Sequence, residues 1–222
     1  MRRADRLGRR GVAAVEFALV LPVLLILLLG TVDILTALRA QLRLETAAVQ
    51  LGQIVSQCGR ITDPTGQGNS GDLGQFWSHG QRMIGNLGTI TGTGTDGAVI
   101  ITAVRRRPNT NQNEVAWQRR TGSGNHASSV ANAGQQGQPA PANTTATIAA
   151  GFVVPPNETL FVTEVTLNRT ALLLRGPLVN NALPQQLRGT TLFLSRSPIP
   201  GDLQNPPGAA TQNDPGGLSC TA

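Results

Sequence analysis

From Phe17 to Leu29 the chain reads FALVLPVLLILLL, an apolar run without a charge. Taking Val12 to Val32 as one helix gives 21 residues, or about 31 Å at ~1.5 Å per residue. That length fits a hydrocarbon core of ~30 Å. Pro22 does not forbid the span, because membrane helices tolerate proline where neighbouring groups satisfy the freed carbonyl. The helical period then continues. Leu44, Ala47, Ala48, Leu51, Val55 and Cys58 recur at steps of three and four, with Arg39, Arg43, Gln50, Gln53 and Gln57 on the opposite face. One helix from Val12 to Cys58 would be ~70 Å long. Its first half suits lipid or a helix bundle, its second half a globular head, and Gly59 supplies a stop.

Beyond it the period changes. Residues 62–71 form a loop by turn chemistry. Ser70 or Asp72 starts a second helix with Leu73, Phe76, Trp77, Ile84 and Leu87 on one face, ended by Gly88. Residues 98–105 (AVIITAVR) form a β-branched strand, 109–113 a turn, and 114–120 a returning strand with Val115 and Trp117 facing inward. Residues 121–150 are nearly all small or polar and predict an exposed, mobile insertion that includes His126. A further strand covers 159–168. Leu160 and Val162 alternate there with Phe161 and Val165, so both faces have apolar cover. Residues 171–187 suit an apolar loop or single helical turn, 189–196 a last strand, and 198 onward a Pro/Gly-rich tail to Cys220. The fold class is α+β: a long N-terminal transmembrane helix whose C-terminal half packs on a small antiparallel sheet head. The chain divides into a cytoplasmic leader 1–11, a membrane helix 12–33 and an exported head 34–222 with the insertion 121–150.

Charge sharpens the topology. All 18 basic residues are arginine, and the net charge of +6 is mostly the leader, where Arg2, Arg3, Arg6, Arg9 and Arg10 against Asp5 sum to +4. Arg9 and Arg10 border the span and act as a topology signal: by the positive-inside rule the N-terminus stays cytoplasmic and the head is exported. With the charge so placed, nucleic-acid binding does not follow from it. A cleaved secretory signal fits less well, since the run is long for an h-region and no small-residue cleavage site follows. If such cleavage occurred, the mature chain would begin near Gln41.

Catalytic chemistry is not legible. The two histidines, His79 and His126, sit in polar surroundings without a nucleophile or acid at useful spacing, so no enzyme is expected. Asp63, Asn69 and Asp72 do not follow an EF-hand spacing, and neither metal nor cofactor is expected. Arg105, Arg106 and Arg107, with Arg119 and Arg120, suggest a basic edge. Such an edge either blocks sheet-to-sheet association or contacts an acidic partner subunit. Cys58 and Cys220 either form a disulfide in the exported head, closing a loop of about 160 residues, or remain two buried thiols. Aromatic residues make up 3% of the chain and Gly plus Pro number 40, so the core is thin and the loops long.

Glu16 is the anomaly: a carboxylate at the start of a bilayer segment costs roughly 2–3 kcal/mol. It either snorkels to the headgroups or meets a cation. The pattern Arg9-Arg10-Gly11, four residues, then Glu16-Phe17 and an apolar run resembles a type IV prepilin signal. The wording RRGVAAVEFALVLPVLLILLLG resembles the TadE-like pseudopilins of the tight-adherence (Tad/Flp) pilus system over roughly residues 9–35. The resemblance implies a prepilin peptidase that cuts between Gly11 and Val12. It also implies a Glu16 that pairs with the amino terminus of a neighbouring subunit, with Phe17 filling the aromatic position after it. The implied partners are that peptidase, other pilin and pseudopilin subunits, an inner-membrane assembly platform and the bilayer. The implied place is the bacterial inner membrane, single-pass, or a surface pilus used in adherence or secretion. The competing reading is an uncleaved, membrane-anchored binding domain of the cell envelope.

Overall fold

The computed structural model describes residues 4–92, 96–131, 144–169, 184–197, 200–208 and 220, with the side chains of 4–10 and 202 left aside. Its elements are α1 (Ala4–Gln57), α2 (Gly71–Ile84), a short 3₁₀ turn (Gly85–Leu87), β1 (Gly97–Arg106), β2 (Asn113–Gly122), β3 (Leu160–Asn168), β4 (Gln186–Leu194) and a second 3₁₀ turn (Pro200–Gln204). Two compact units result: residues 1–39 with 169–185, and residues 40–168 with 186–222.

The second unit is the head. Its sheet is antiparallel throughout, in the order β2-β1-β3-β4. The period-four stripe of α1 is buried as its spacing predicts: Leu44, Ala47, Ala48, Leu51 and Val55 join Leu73, Phe76, Trp77 and Ile84 of α2 in one core. Against them stand Val99, Ile101, Ala103, Trp117, Phe161, Val165 and Leu167 from one face of the sheet. Helix and sheet approach closely because two positions carry no side chain. A Cβ at Gly189 of β4 would overlap the backbone of Leu44, and one at Gly52 of α1 would lie 2.6 Å from Thr191 and 2.9 Å from Phe193. These two contacts also fix direction: α1 runs along β4 from Gly189 toward Phe193.

The other face of the sheet has its own small core of Val104, Val115, Val130, Ala146, Val154, Leu160 and Val162. The alternation of Leu160 and Val162 with Phe161 and Val165 therefore does report two covered faces. Three layers follow: helices, sheet, and a cover built from 123–131 and 144–154.

Several expectations change. Val115 and Trp117 do not share a face. Trp117 pairs with Ala103 and Val115 with Val104, so Ala116 is an extra residue, a β-bulge that reverses the side-chain parity of β2. The segment 121–150 is not exposed throughout. Residues 121 and 122 end β2, and Ser123, His126, Val130 and Ala146 are buried; its residues 132–143 lie outside the described ones. Small and polar side chains cover a sheet here because its face offers polar partners. Helix α2 ends one turn before Gly88, at Gly85, whose φ of 61° is the left-handed cap that favours glycine. Ser70 stands at the N-cap, but its hydroxyl makes no cap bond and is turned to Asp63 instead. Strand β4 begins at Gln186, inside the stretch 171–187 read as an apolar loop or single helical turn, whose residues 171–183 lie outside the described ones.

Loop 62–72 is closed by its own acids. Asp72 accepts from the Thr62 N–H and hydroxyl at 2.7 and 2.8 Å. Asp63, fully buried, accepts from the Gly68 N–H at 2.6 Å and the Ser70 hydroxyl at 2.8 Å. The Arg119 guanidinium lies 3.8 Å from it. A disulfide joins Cys58 at the end of α1 to Cys220, with Cα atoms 5.0 Å apart.

A candidate assembly segment on the N-terminal helix

The residues singled out by sequence lie on one unbroken stretch of α1. The helix passes through Gly11, Val12, Glu16, Phe17 and Pro22 without interruption. Arg9 and Arg10 belong to its first turns, with side chains outside the described set. Residues 11–28 are exposed throughout, including Val12, Phe17 and a wall of leucines. Gly11–Gln57 is long and apolar enough to cross a membrane: its best window has a mean hydropathy of 2.8, and none of that window is buried. Exposed leucine on this scale is the pattern expected of a helix that lipid or neighbouring helices can cover.

Nothing local explains the glycine. A Cβ at Gly11 would meet no atom within 4 Å, and a mid-helix glycine costs roughly 0.5–1 kcal/mol relative to alanine. Glu16 is exposed on the same stretch. Asp33, nearly five turns further on, escaped the sequence reading: it is 2% exposed. The only signal for it is that it is the next acid after the apolar run.

The head brings together two polar clusters that the sequence kept apart. The first lies between the sheet and its cover. Glu164 of β3 is fully buried and accepts from the Ser129 N–H and hydroxyl, both at 2.8 Å, from the Ser128 hydroxyl, and from Arg188 Nη1 at 3.1 Å. Arg188 also donates to the Ala127 carbonyl at 2.6 Å, and Arg120 donates to the Ser123 carbonyl. His126, fully buried between these two anchor points, has neither ring nitrogen hydrogen-bonded. Arg120 and Arg119 are thus interior residues, not members of a basic edge.

Burial first, then the charges of Arg120 and Arg188, hold the His126 imidazole below its ordinary 6.5. Between 6.5 and that lowered value the unfolded chain binds a proton that the folded head does not. Stability therefore falls as pH drops through this interval. His126→Leu is expected to remove this part of the pH dependence. It should leave untouched the acid limb set by Glu114, which begins below 4.5. Thermal unfolding as a function of pH reads both limbs, and an unchanged slope just below pH 6.5 would refute the assignment.

The second cluster is the β1–β2 hairpin tip. Glu114, buried, takes Arg105 Nε at 2.7 Å and Arg107 Nε at 3.1 Å. Burial by itself would raise its pKa; the hydrogen bonds and charges of the two arginines outweigh that and hold the carboxyl below 4.5. Among the described residues no group of three or more His, Cys, Asp or Glu is placed to hold a metal ion.

No curated protein and no solved structure matches the chain. Residues 11–50, which take in Gly11, Val12, Glu16, Phe17 and the first buried turns of the head, match the family described as TadE-like protein. The N-terminal helix is thus similar to that of TadE-like proteins, across 40 of the 222 residues.

Proposed function

We propose that the chain is a minor pseudopilin of a Tad pilus system. A prepilin peptidase cuts it between Gly11 and Val12 on the cytoplasmic face, where Arg9 and Arg10 hold the leader. The trimmed helix then leaves the bilayer for a helix bundle with pilin-type partners. Glu16, five residues from the new terminus when Val12 is counted as the first, pairs there with the amino group of a neighbour, and Phe17 packs beside it. The observation that carries this reading is Gly11. It lies within an exposed helix, open space surrounds its missing side chain, and helix propensity disfavours it. The fold gives no reason for a glycine there, whereas a peptidase that must admit backbone at the scissile bond does. The family match over residues 11–50 supports the same reading.

The N-terminus of membrane-extracted protein, read by mass spectrometry with and without a co-expressed prepilin peptidase, tests it. The expected start is Val12, and Gly11→Leu should leave Met1 in place while the unfolding temperature of the head is unchanged. A start at Met1 under every condition would make the chain an uncleaved envelope anchor. A start near Gln41 would make the apolar helix a secretion signal.

A further inference from the structure

Three consecutive arginines, Arg105 to Arg107, follow the last residue of β1 that pairs with β3. β1 is an inner strand with β2 and β3 on its two sides, and its pairing with β3 stops at Val104, so these charges guard at most a two-residue stretch of sheet edge, Arg105 and Arg106. Neutralising Glu114 does not require three of them either. Arg106 stays away from that carboxylate: its Nε donates to the Thr110 carbonyl at 2.9 Å and its Nη2 to Asn111 Oδ1. Within residues 105–114 three guanidiniums face one carboxylate. All three are pinned by hydrogen bonds inside the hairpin, Arg107 additionally to Gln112 Oε1 at 3.2 Å. Their side chains are therefore already ordered, and a partner need not immobilise them.

The position suits an incoming chain. Because α1 runs along β4 from Gly189 toward Phe193, and Leu194, Leu160, Val104 and Val115 are cross-strand neighbours, the tip lies at the end of the sheet opposite Ala40. The pairing of β1 with β3 stops at Val104 and Leu160, while β1 continues to Arg106. Arg105, in β1, and Arg107, just past its end, both reach Glu114 from one side of the hairpin, and Arg106 lies between them. The side chains of Arg105 and Arg107 are 37% and 26% exposed.

We propose that this hairpin tip is a docking surface for an extended, carboxylate-rich segment of a partner protein. Carboxylates bind guanidinium groups through paired, charge-assisted N–H···O bonds, and Arg105 and Arg106, the part of β1 that extends past β3, offer the charges for them. The proposal is independent of processing at Gly11.

The test uses the full chain in detergent and a fluorescent oligo-glutamate peptide, read by anisotropy at low ionic strength. Binding is expected, with loss near 1 M salt, where the screening length is ~3 Å. The double variant Arg105→Gln/Arg106→Gln should weaken it roughly tenfold. Arg106→Gln alone, which leaves the Glu114 pairs intact, should weaken it measurably without lowering the unfolding temperature. Arg82→Gln, an exposed arginine of α2, should have no effect. The idea is overturned if oligo-glutamate does not bind, if Arg82→Gln weakens binding as much as the tip variants, or if only heparin or phosphatidylglycerol vesicles bind at the tip.

Discussion

Trp117→Ala is expected to lower the stability of the head by about 4 kcal/mol, within the range for removing a buried tryptophan. The side chain is 1% exposed, its ring centroid lies 5.9 Å from that of Phe161, and its indole N–H donates to the Leu203 carbonyl at 2.6 Å. Truncation opens a cavity between sheet and helices and orphans a carbonyl that holds the C-terminal 3₁₀ turn. Trp117→Phe separates the two effects: it keeps most of the volume and should cost about 1–2 kcal/mol, chiefly the lost hydrogen bond. Urea unfolding followed by circular dichroism measures both. Equal losses for the two variants would mean that the hydrogen bond, not packing, dominates. For a chain of this size the alanine variant should melt about 8–16 °C lower.

The second large effect is expected at the disulfide. Cys58 and Cys220 are 162 residues apart in sequence, and in the chain-entropy picture a cross-link closing such a loop restricts the unfolded chain by about 5 kcal/mol. Cys220→Ser is the cleaner variant, because Cys58 is buried in the main core, where a serine would add an unsatisfied hydroxyl. A loss of about 4–5 kcal/mol, equalled by treating the natural chain with reductant, would assign the effect to the cross-link itself and not to the substituted side chain. A loss under about 1 kcal/mol would show that the cross-link adds little beyond the contacts that Leu203 and Gly208 already make to the head. If the effect is as large as expected, the head depends on an oxidising compartment to reach full stability, in keeping with export.

Much of this architecture was legible in the sequence because it rests on local periodicity. The apolar run and its three-four continuation through Leu44, Leu51 and Val55 specify a helix regardless of what it meets. The β-branched run 98–105 and the alternation from Leu160 to Val165 specify strands for the same reason. The spacing of Gly11, Val12, Glu16 and Phe17 is likewise a local pattern along one helix; the assembly role given to it belongs to the proposal. What the sequence hid are relations between elements. The bulge at Ala116 moved Val115 to the far face, and no local pattern announces an extra residue that exists only relative to the register of β1. The polar stretch from Ser123 to Ala131 reads as solvent-exposed because its composition lacks large apolar groups. It is buried because Glu164, Arg120 and Arg188, from three different strands, supply the hydrogen bonds and charges it needs.

The arginines make the same distinction. Arg105, Arg106, Arg107, Arg119 and Arg120 are chemically identical in the sequence, yet pairing places two of them inside the fold and three at a hairpin tip. Strand register then leaves Arg105 and Arg106 past the end of the pairing with β3. Sequence alone determined the membrane-length helix, the second helix and the four strands of the sheet, and the Gly11–Glu16 spacing, because each depends on residues a few positions apart. Tertiary structure decided which charges are buried, which face each side chain serves and where Cys220 ends, because those depend on register and close approach between segments distant in the chain.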